Sequence, residues 1–300
     1  MLETAETANR ARARDATRRL WGGATGYVRP VAPLIPEGEF LNSPDREAAG
    51  DRFLAVDERL EPLIARINRF RVQPSSAFAG DDLASLTDAV SHQARALLTV
   101  AADNASTLST VLVKANVLPT FAGFTLLRNA IECAGVALWL MGPNSRDDRV
   151  LRALQLSRES LSDLRRFEAT VADNKYTGLS PGDPTLLRLV AERDKRPGNV
   201  GKSLKTPTVS ERLDAAEAFV KRRAADQNTI LINWQRASGL THGRRHALWR
   251  NTDARLRGAD HIGFQTVVTG DLIAVAAHYE ATMNYIEDGL ELLESRGGFQ

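Results

Sequence analysis

The residues with the most chemical capacity are an arginine and a histidine six positions apart, Arg236 and His242, with Ser238 between them and Arg244, Arg245 and His246 close behind. An imidazole can move the proton of a ribose 2′-hydroxyl, and a guanidinium can stabilise the charge that develops on the adjoining phosphate. The pair therefore points to RNA, bound or cleaved without a metal, with His242 as proton-transfer group and Arg236 as phosphate-stabilising group. The surroundings suit a polyanion. Arg250, Arg255 and Arg257 extend the basic run against the lone acid Asp253, and Trp234 and Trp249 interleave with it, as on surfaces that contact phosphates and stack bases. The competing reading of these residues is a solvated basic face over core tryptophans. Arg255 and His261 repeat the spacing, but Gly258 between them reads as loop.

A second polar pair, Arg128 and Glu132, stands one helical turn apart in the stretch 120–141, which is apolar on nearly all sides. An internal ion pair is expected there, buried and held by further partners, for which Arg149, Arg152 and His242 are candidates. Such a network could fix helix register, or it could line a small-molecule pocket around Arg128 and Glu132. Crossing a membrane would place both charges in hydrocarbon at roughly 2.5 to 3.5 kcal/mol each. The stretch is therefore read as the central helix of a soluble bundle, and no membrane is expected.

Other signatures fail on spacing. Gly198-Asn199-Val200-Gly201-Lys202-Ser203 lacks the first glycine of a phosphate loop, which would fall at Arg196, and the preceding segment reads as helix rather than strand. No glutamate precedes a histidine by three positions, which removes the di-iron pattern of helical bundles. His242 and His246 have the four-residue spacing of two metal ligands, but Gly243, Arg244 and Arg245 lie between them, and arginine is a poor neighbour for a divalent cation. No metal and no other cofactor is expected.

The segment Arg236-Ala237-Ser238-Gly239-Leu240-Thr241-His242, near the end of an expected helix, resembles the signature of the HEPN superfamily: arginine, four to six residues, then histidine. That superfamily comprises helical bundles, among them many metal-independent ribonucleases. The helix containing Arg128-Asn129-Ala130-Ile131-Glu132 adds to the likeness, since related bundles often carry a buried acid on an early helix. The likeness covers roughly residues 81 to 295 and implies roles for His242 and Arg236 on the scissile phosphate of an endoribonuclease. It departs from the pattern at Ala237, where a polar residue is common, and at Gly239, which weakens the helix. The partners implied are RNA or another polyanion, with a homodimer allowed. A non-catalytic protein-interaction module is the alternative.

These side chains need a scaffold. Three hundred residues, 43% hydrophobic and 25% charged, can bury a large core without disulfides or metals. A net charge of +2 is too small to argue for nucleic acid, so only local clustering matters. Arginine outnumbers lysine 33 to 6, a bias that high genomic GC content or phosphate binding would equally explain. The lone Cys133 forms no internal disulfide, and Arg10, Arg12, Arg14, Arg18 and Arg19 have no apolar stretch behind them, so a reducing, cytoplasmic setting is expected.

Along the chain, residues 1–43 read as an arm, partly helical and rich in proline and glycine, and residues 44–300 as one helical domain. Ser43-Pro44 starts a helix with an apolar face at Phe53, Val56, Leu60, Leu63, Ile64, Ile67 and Phe70, which Pro62 should kink. Asp81 and Asp82 are expected to cap a long second helix carrying Leu83, Leu86, Val90, Leu97, Leu98, Leu108, Val111 and Leu112. A helix capped by Ser145 follows the apolar one, with a stripe that includes Val150, Leu161, Leu164 and Phe167. Residues 173–209 read as a surface loop interrupted by a short helix near Pro184 to Arg193. Thr208 and Glu211 have capping-box spacing, Ile230 to Leu240 is helical, and the last helix runs from about Asp271 to Glu294. With no strand pattern of useful length, the expected fold is all-α, a single up-and-down helical bundle.

Overall fold

The computed structural model describes residues 44–300 apart from 224–227, 246, 249–251, 260–263 and 299–300. The arm expected over 1–43 lies outside the described residues. The remainder is an all-α bundle, and its organising element is the contact between the first and last helices, α1 (Pro44–Arg69) and α9 (Leu272–Gly297).

In α1 and the residue after it, Phe53, Val56, Leu60, Leu63, Ile67 and Phe70 are buried and recur at intervals of three and four; in α9, Ala276, Tyr279, Met283, Ile286, Leu290 and Leu293 do the same. That alternation is the seam of a coiled coil. Arg52, Arg59 and Arg66 each precede a seam residue of α1, and Glu280, Glu287 and Glu294 each follow one of α9. The guanidinium of Arg59 donates to both carboxylate oxygens of Glu287, at 2.7 and 2.6 Å, and Arg66 holds Glu294 the same way at 3.0 and 2.6 Å. Arg52 closes on one oxygen of Glu280 at 2.9 and 2.6 Å. All three partners lie 228 residues on, in the same order, so the two helices run parallel in register. Gly297 takes the next seam position, where a Cβ would run into the ring of Phe70. Part-exposed pairs of this kind contribute about 0.2 to 1 kcal/mol each, against about 1.5 to 3 for each large apolar side chain buried in the seam. Apolar burial holds the helices together, and the ladder selects their alignment. Pro62 lies inside α1, which nevertheless continues unbroken to Arg69.

Three more long helices alternate in direction around this pair. Helix α3 (Val90–Ser109) runs against α9: the Tyr279 hydroxyl donates to the Ala105 carbonyl at 3.0 Å, while Gly289, ten residues on, packs against Leu98. Helix α4 (Ala122–Met141) runs with α9, meeting it through Phe124 and His278 at one end and through the Gly142 carbonyl and Arg296 at the other. Helix α8 (Ile230–Thr241) runs against α4, with Ile230 over Gly135 and Trp234 over Glu132. The order is up, down, up, down, up, with α5 (Arg146–Val171), α6 (Pro184–Asp194) and α7 (Val209–Ala216) inserted as an excursion. Two helices, Val90–Lys114 and Ala122–Met141, are long and apolar enough to cross a membrane by length and composition; the second has 67% of its apolar window buried inside the bundle.

The long helix expected to start at Asp81 is interrupted. A short helix α2 (Ala77–Asp82) ends there, residues 83–89 are not helical, and Leu83 and Leu86 are exposed rather than in the core. Asp82 does cap a helix, but across the loop: its carboxylate accepts from the Ser91 amide and hydroxyl at 2.9 and 2.6 Å, at the start of α3. Asp81 does something else. Fully buried, it accepts two bonds from Arg149, at 2.6 and 2.9 Å, and one from Arg146 at 3.2 Å. Arg149 also donates to the carbonyls of Pro143 and Asn144, both at 2.8 Å, and Arg296 reaches the same turn. Asp81, through Arg149, ties α2 to the α4–α5 turn, and Arg296 ties the end of α9 to the same turn.

Two further expectations are corrected. Leu164 and Phe167, assigned to a buried stripe, are exposed, because α5 packs on the core only through its first half, with Val150, Ala153 and Leu154. The segment after α8 contains a β-hairpin, β1 (Thr252–Ala259) and β2 (Phe264–Gly270), antiparallel from Thr252 opposite Gly270 to Ala259 opposite Phe264, with a bulge between Leu256 and Gly258. Arg255 therefore sits on a strand and not in a loop, and the β-branched run Thr266-Val267-Val268-Thr269 is the signal for it.

Three single substitutions test the ranking of these contacts by denaturant unfolding. Ile286→Ala in the seam should cost about 2 to 5 kcal/mol, and Asp81→Ala about 3 to 5, since it strands a buried arginine. Arg59→Ala should cost less than about 1. Equal losses at Arg59 and Ile286 would contradict the division of roles.

Candidate functional site

Helix α8 carries most of the candidate residues, and its orientation follows from what it buries. The Thr229 hydroxyl caps it by accepting from the Ile232 amide at 3.2 Å. Ile230, Asn233, Ala237 and Leu240 then recur at three- and four-residue spacing and face the core, where the Asn233 amide donates to the Tyr285 hydroxyl at 2.8 Å and ties α8 to α9. Trp234 and Ser238 flank this face on one side and are half-buried; Arg236 flanks it on the other, where it is exposed and its charge reaches His278.

Arg128, Glu132 and Trp234 form one polar unit. Glu132 Oε2 accepts from the Trp234 indole N–H at 2.9 Å and pairs with Arg128 Nη2 at 3.0 Å, while the Arg128 guanidinium stacks 5.3 Å from the indole centroid. The ion pair is as expected, but it is not buried: the two side chains keep 28% and 25% of their exposure, because Trp234 shields only one side of this face of α4. The expected helpers lie elsewhere. Arg149 is committed to Asp81, Arg152 stacks on Trp139 and donates to its carbonyl, and no bond joins His242 to the pair. Beside this unit, burial, with Glu132 adding to it, pushes the Cys133 thiol up to about 11.

Arg236 and His242 do not converge. Six residues on an α-helix place two side chains about 120° apart around its axis. His242 closes α8 as its C-cap, with its amide donating to the Ser238 carbonyl at 3.1 Å, and its ring is exposed. Arg244 and Arg245 are exposed as well; His246, Trp249 and Arg250 lie outside the described residues. None of Arg236, His242, Arg244 or Arg245 makes a side-chain hydrogen bond or ion pair among the described residues. The Gly198 to Ser203 segment is no phosphate cradle either: it follows a helix, and its Gly201 amide is already bound to the Asp194 carboxylate at 3.2 Å. No three His, Cys, Asp or Glu side chains among the described residues stand close enough to hold a metal.

Sequence reading overlooked His278. It is buried at the start of α9, with Nδ1 2.8 Å from the Ala274 carbonyl and its ring edge-on to Phe124 at 5.6 Å between centroids. A carbonyl only accepts, so Nδ1 carries the hydrogen and Nε2 a bare lone pair, and that buried Nε2 has no partner. Burial holds this imidazole below the usual histidine range despite the bond to Ala274; Arg236 lowers it further and Asp271 opposes. The only hint in the sequence is its position four before Thr282 and seven before Tyr285, on the face of α9 beside the seam. Because α4 and α9 start where α8 ends, His278 and Phe124 occupy the same end of the bundle as the last turn of α8 and the exposed basic residues beyond it.

Compared with protein-family models, curated proteins and solved structures, the chain matches none of them. The likeness to HEPN proteins therefore rests on the residues themselves.

Two outcomes follow from the geometry. Glu132→Ala leaves Arg128 and the indole N–H without their acceptor, but water can reach both, so it should cost roughly 1 to 2 kcal/mol, well below Asp81→Ala, with a shift in tryptophan emission. A loss as large as that of Asp81→Ala would mean the unit is fully desolvated. For His278, the folded value lies below the unfolded one of 6.5, so the folded chain binds the proton less readily. Its contribution is complete above that value and is lost as pH falls through and below it. Wild type should lose more stability on acidification than His278→Gln; parallel melting curves would refute this.

Proposed function

We propose that the protein binds RNA through the basic end of the bundle, with Arg236, His242, Arg244 and Arg245 as phosphate contacts and the half-buried Trp234 beside them. One observation carries this reading. Among the arginines whose side chains the structure describes, Arg69, Arg158, Arg236, Arg244 and Arg245 have no hydrogen bond or ion pair to another described residue, and three of these five fall within ten residues at the end of α8. Apart from Arg69 and Arg158, the other described guanidinium groups are engaged by the protein's own carboxylates, carbonyls or, for Arg188, the Thr185 hydroxyl. The negative end of the α8 dipole can stabilise His242, Arg244 and Arg245 near the C-cap, but not Arg236 in the middle of the helix. Unpaired cations at one place are what a polyanion needs, since each phosphate neutralised releases counterions.

Binding is favoured over cleavage. Proton transfer needs a held imidazole, and no described residue orients the His242 ring. A metal-independent cleavage with His242 moving the proton and Arg236 on the phosphate is the step that the HEPN likeness adds. Should cleavage occur, it should persist in chelator and vanish in His242→Ala.

Fluorescence anisotropy with a labelled single-stranded RNA tests the proposal across a salt series. Each of Arg236→Ala, Arg244→Ala and Arg245→Ala should weaken binding of all sequences alike and lower the salt slope by about 0.7 for each phosphate no longer neutralised. Affinity and slope unchanged in the triple variant would overturn the RNA reading. That result would move attention to protein partners at the exposed apolar stripe Leu164, Phe167 and Val171 of α5.

A further inference from the structure

The basic end contains a titratable group that the binding surface itself does not use. His278 lies behind it, inside the bundle, with its tautomer fixed by the Ala274 carbonyl and its Nε2 free of any partner. The groups that face it can be named from each element packed there. Helix α8 brings Arg236; α4 brings the apolar ring of Phe124; α9 itself brings Asp271, at its own N-cap. The opposite face of α9 is closed by Tyr279 against Phe53 and the Ala105 carbonyl. No carboxylate bonds to the imidazole, so a proton on Nε2 would be a buried cation that feels the like charge of Arg236.

We propose, on the reading that this end binds RNA, that RNA binding is proton-linked through His278: a phosphate seated on Arg236 favours a proton on the buried Nε2, and acidification in turn tightens binding. The phosphate need not touch the ring. It cancels the charge that opposes protonation, and a phosphate oxygen close enough would accept from Nε2–H. Linkage is reciprocal, so the phosphate favours the proton by the same free energy as the proton favours the phosphate. His242 belongs to the binding face itself, so the test removes it to isolate the buried ring.

The test uses the intact protein and a short single-stranded RNA. Imidazole NMR resolves His278 by its Nδ1–H tautomer; its titration midpoint should lie below 6.5 without RNA and rise when RNA is saturating. In parallel, RNA affinity is measured in a His242→Ala background from neutral pH to below the histidine range. It should tighten by about fivefold or more, and the added change His278→Gln should remove that dependence. A His278 midpoint unmoved by RNA, or the same pH dependence with and without His278, overturns the linkage while leaving RNA binding in place. Absence of RNA binding at every pH overturns the RNA reading, and the linkage falls with it.

Discussion

The rest of the structure depends on the parallel seam between the first and last helices. Bringing α1 beside α9 closes a chain of more than two hundred residues into one body, at an entropic cost that apolar burial between Phe53 and Phe70 on one side and Ala276 and Leu293 on the other must offset. Burial alone does not choose a register, since sliding one helix by a heptad would still bury apolar residues. Three arginine–glutamate pairs at matched heptad positions make that choice, because any slip leaves at least one charge unmatched. A second lock acts beside the last rung, at the C-terminal end of α9, where Arg296 grips the α4–α5 turn that Arg149 joins to Asp81.

With α9 fixed along its length by the seam and at its C-terminal end by Arg296, the helices packed on it have little freedom. Helix α8 is held to α9 by the Asn233 to Tyr285 hydrogen bond and to α4 by Trp234 on Glu132. These contacts determine which side of α8 faces outward, and hence that Arg236 reaches solvent while Ala237 and Leu240 do not. They also bring the end of α8 to the level of His278. A buried imidazole near cations that have no partner among the described residues is a consequence of how three helices meet, and not of any local motif. The Arg128–Glu132–Trp234 unit belongs to the same support: it fixes the indole plane next to the basic residues.

Much of the scaffold was legible because it rests on periodicity. The stripes of α1 and α9, the apolar character of α4, the capping box of Thr208 and Glu211, and the short helix at Pro184 all follow from spacing and caps. Failures came where a residue's partner is far away in sequence. Asp81 reads as a helix cap, yet its partners are sixty-five and sixty-eight residues on. Leu83, Leu86, Leu164 and Phe167 have the right type and spacing for a core, but burial depends on whether another helix arrives to cover them, and no described helix does. The hairpin was missed because the bulge near Gly258 breaks alternation in β1. For the site, the Arg128–Glu132 pairing was readable from its four-residue spacing, while its incomplete burial was not. Arg236 and His242 looked like a pair because their separation fits a motif, although helical geometry turns them apart. His278 went unnoticed because what sets it apart, an unpartnered nitrogen in a dry setting, exists only after packing.

The central claim is that unpaired cations at the end of α8 form the RNA-binding face. Ultraviolet cross-linking of the native protein to single-stranded RNA, with the attached residues identified by mass spectrometry, tests it most directly. The account predicts cross-links concentrated between Trp234 and Arg245. Cross-links spread along the Arg52, Arg59 and Arg66 ladder or over the exposed half of α5, with none at the end of α8, would contradict it.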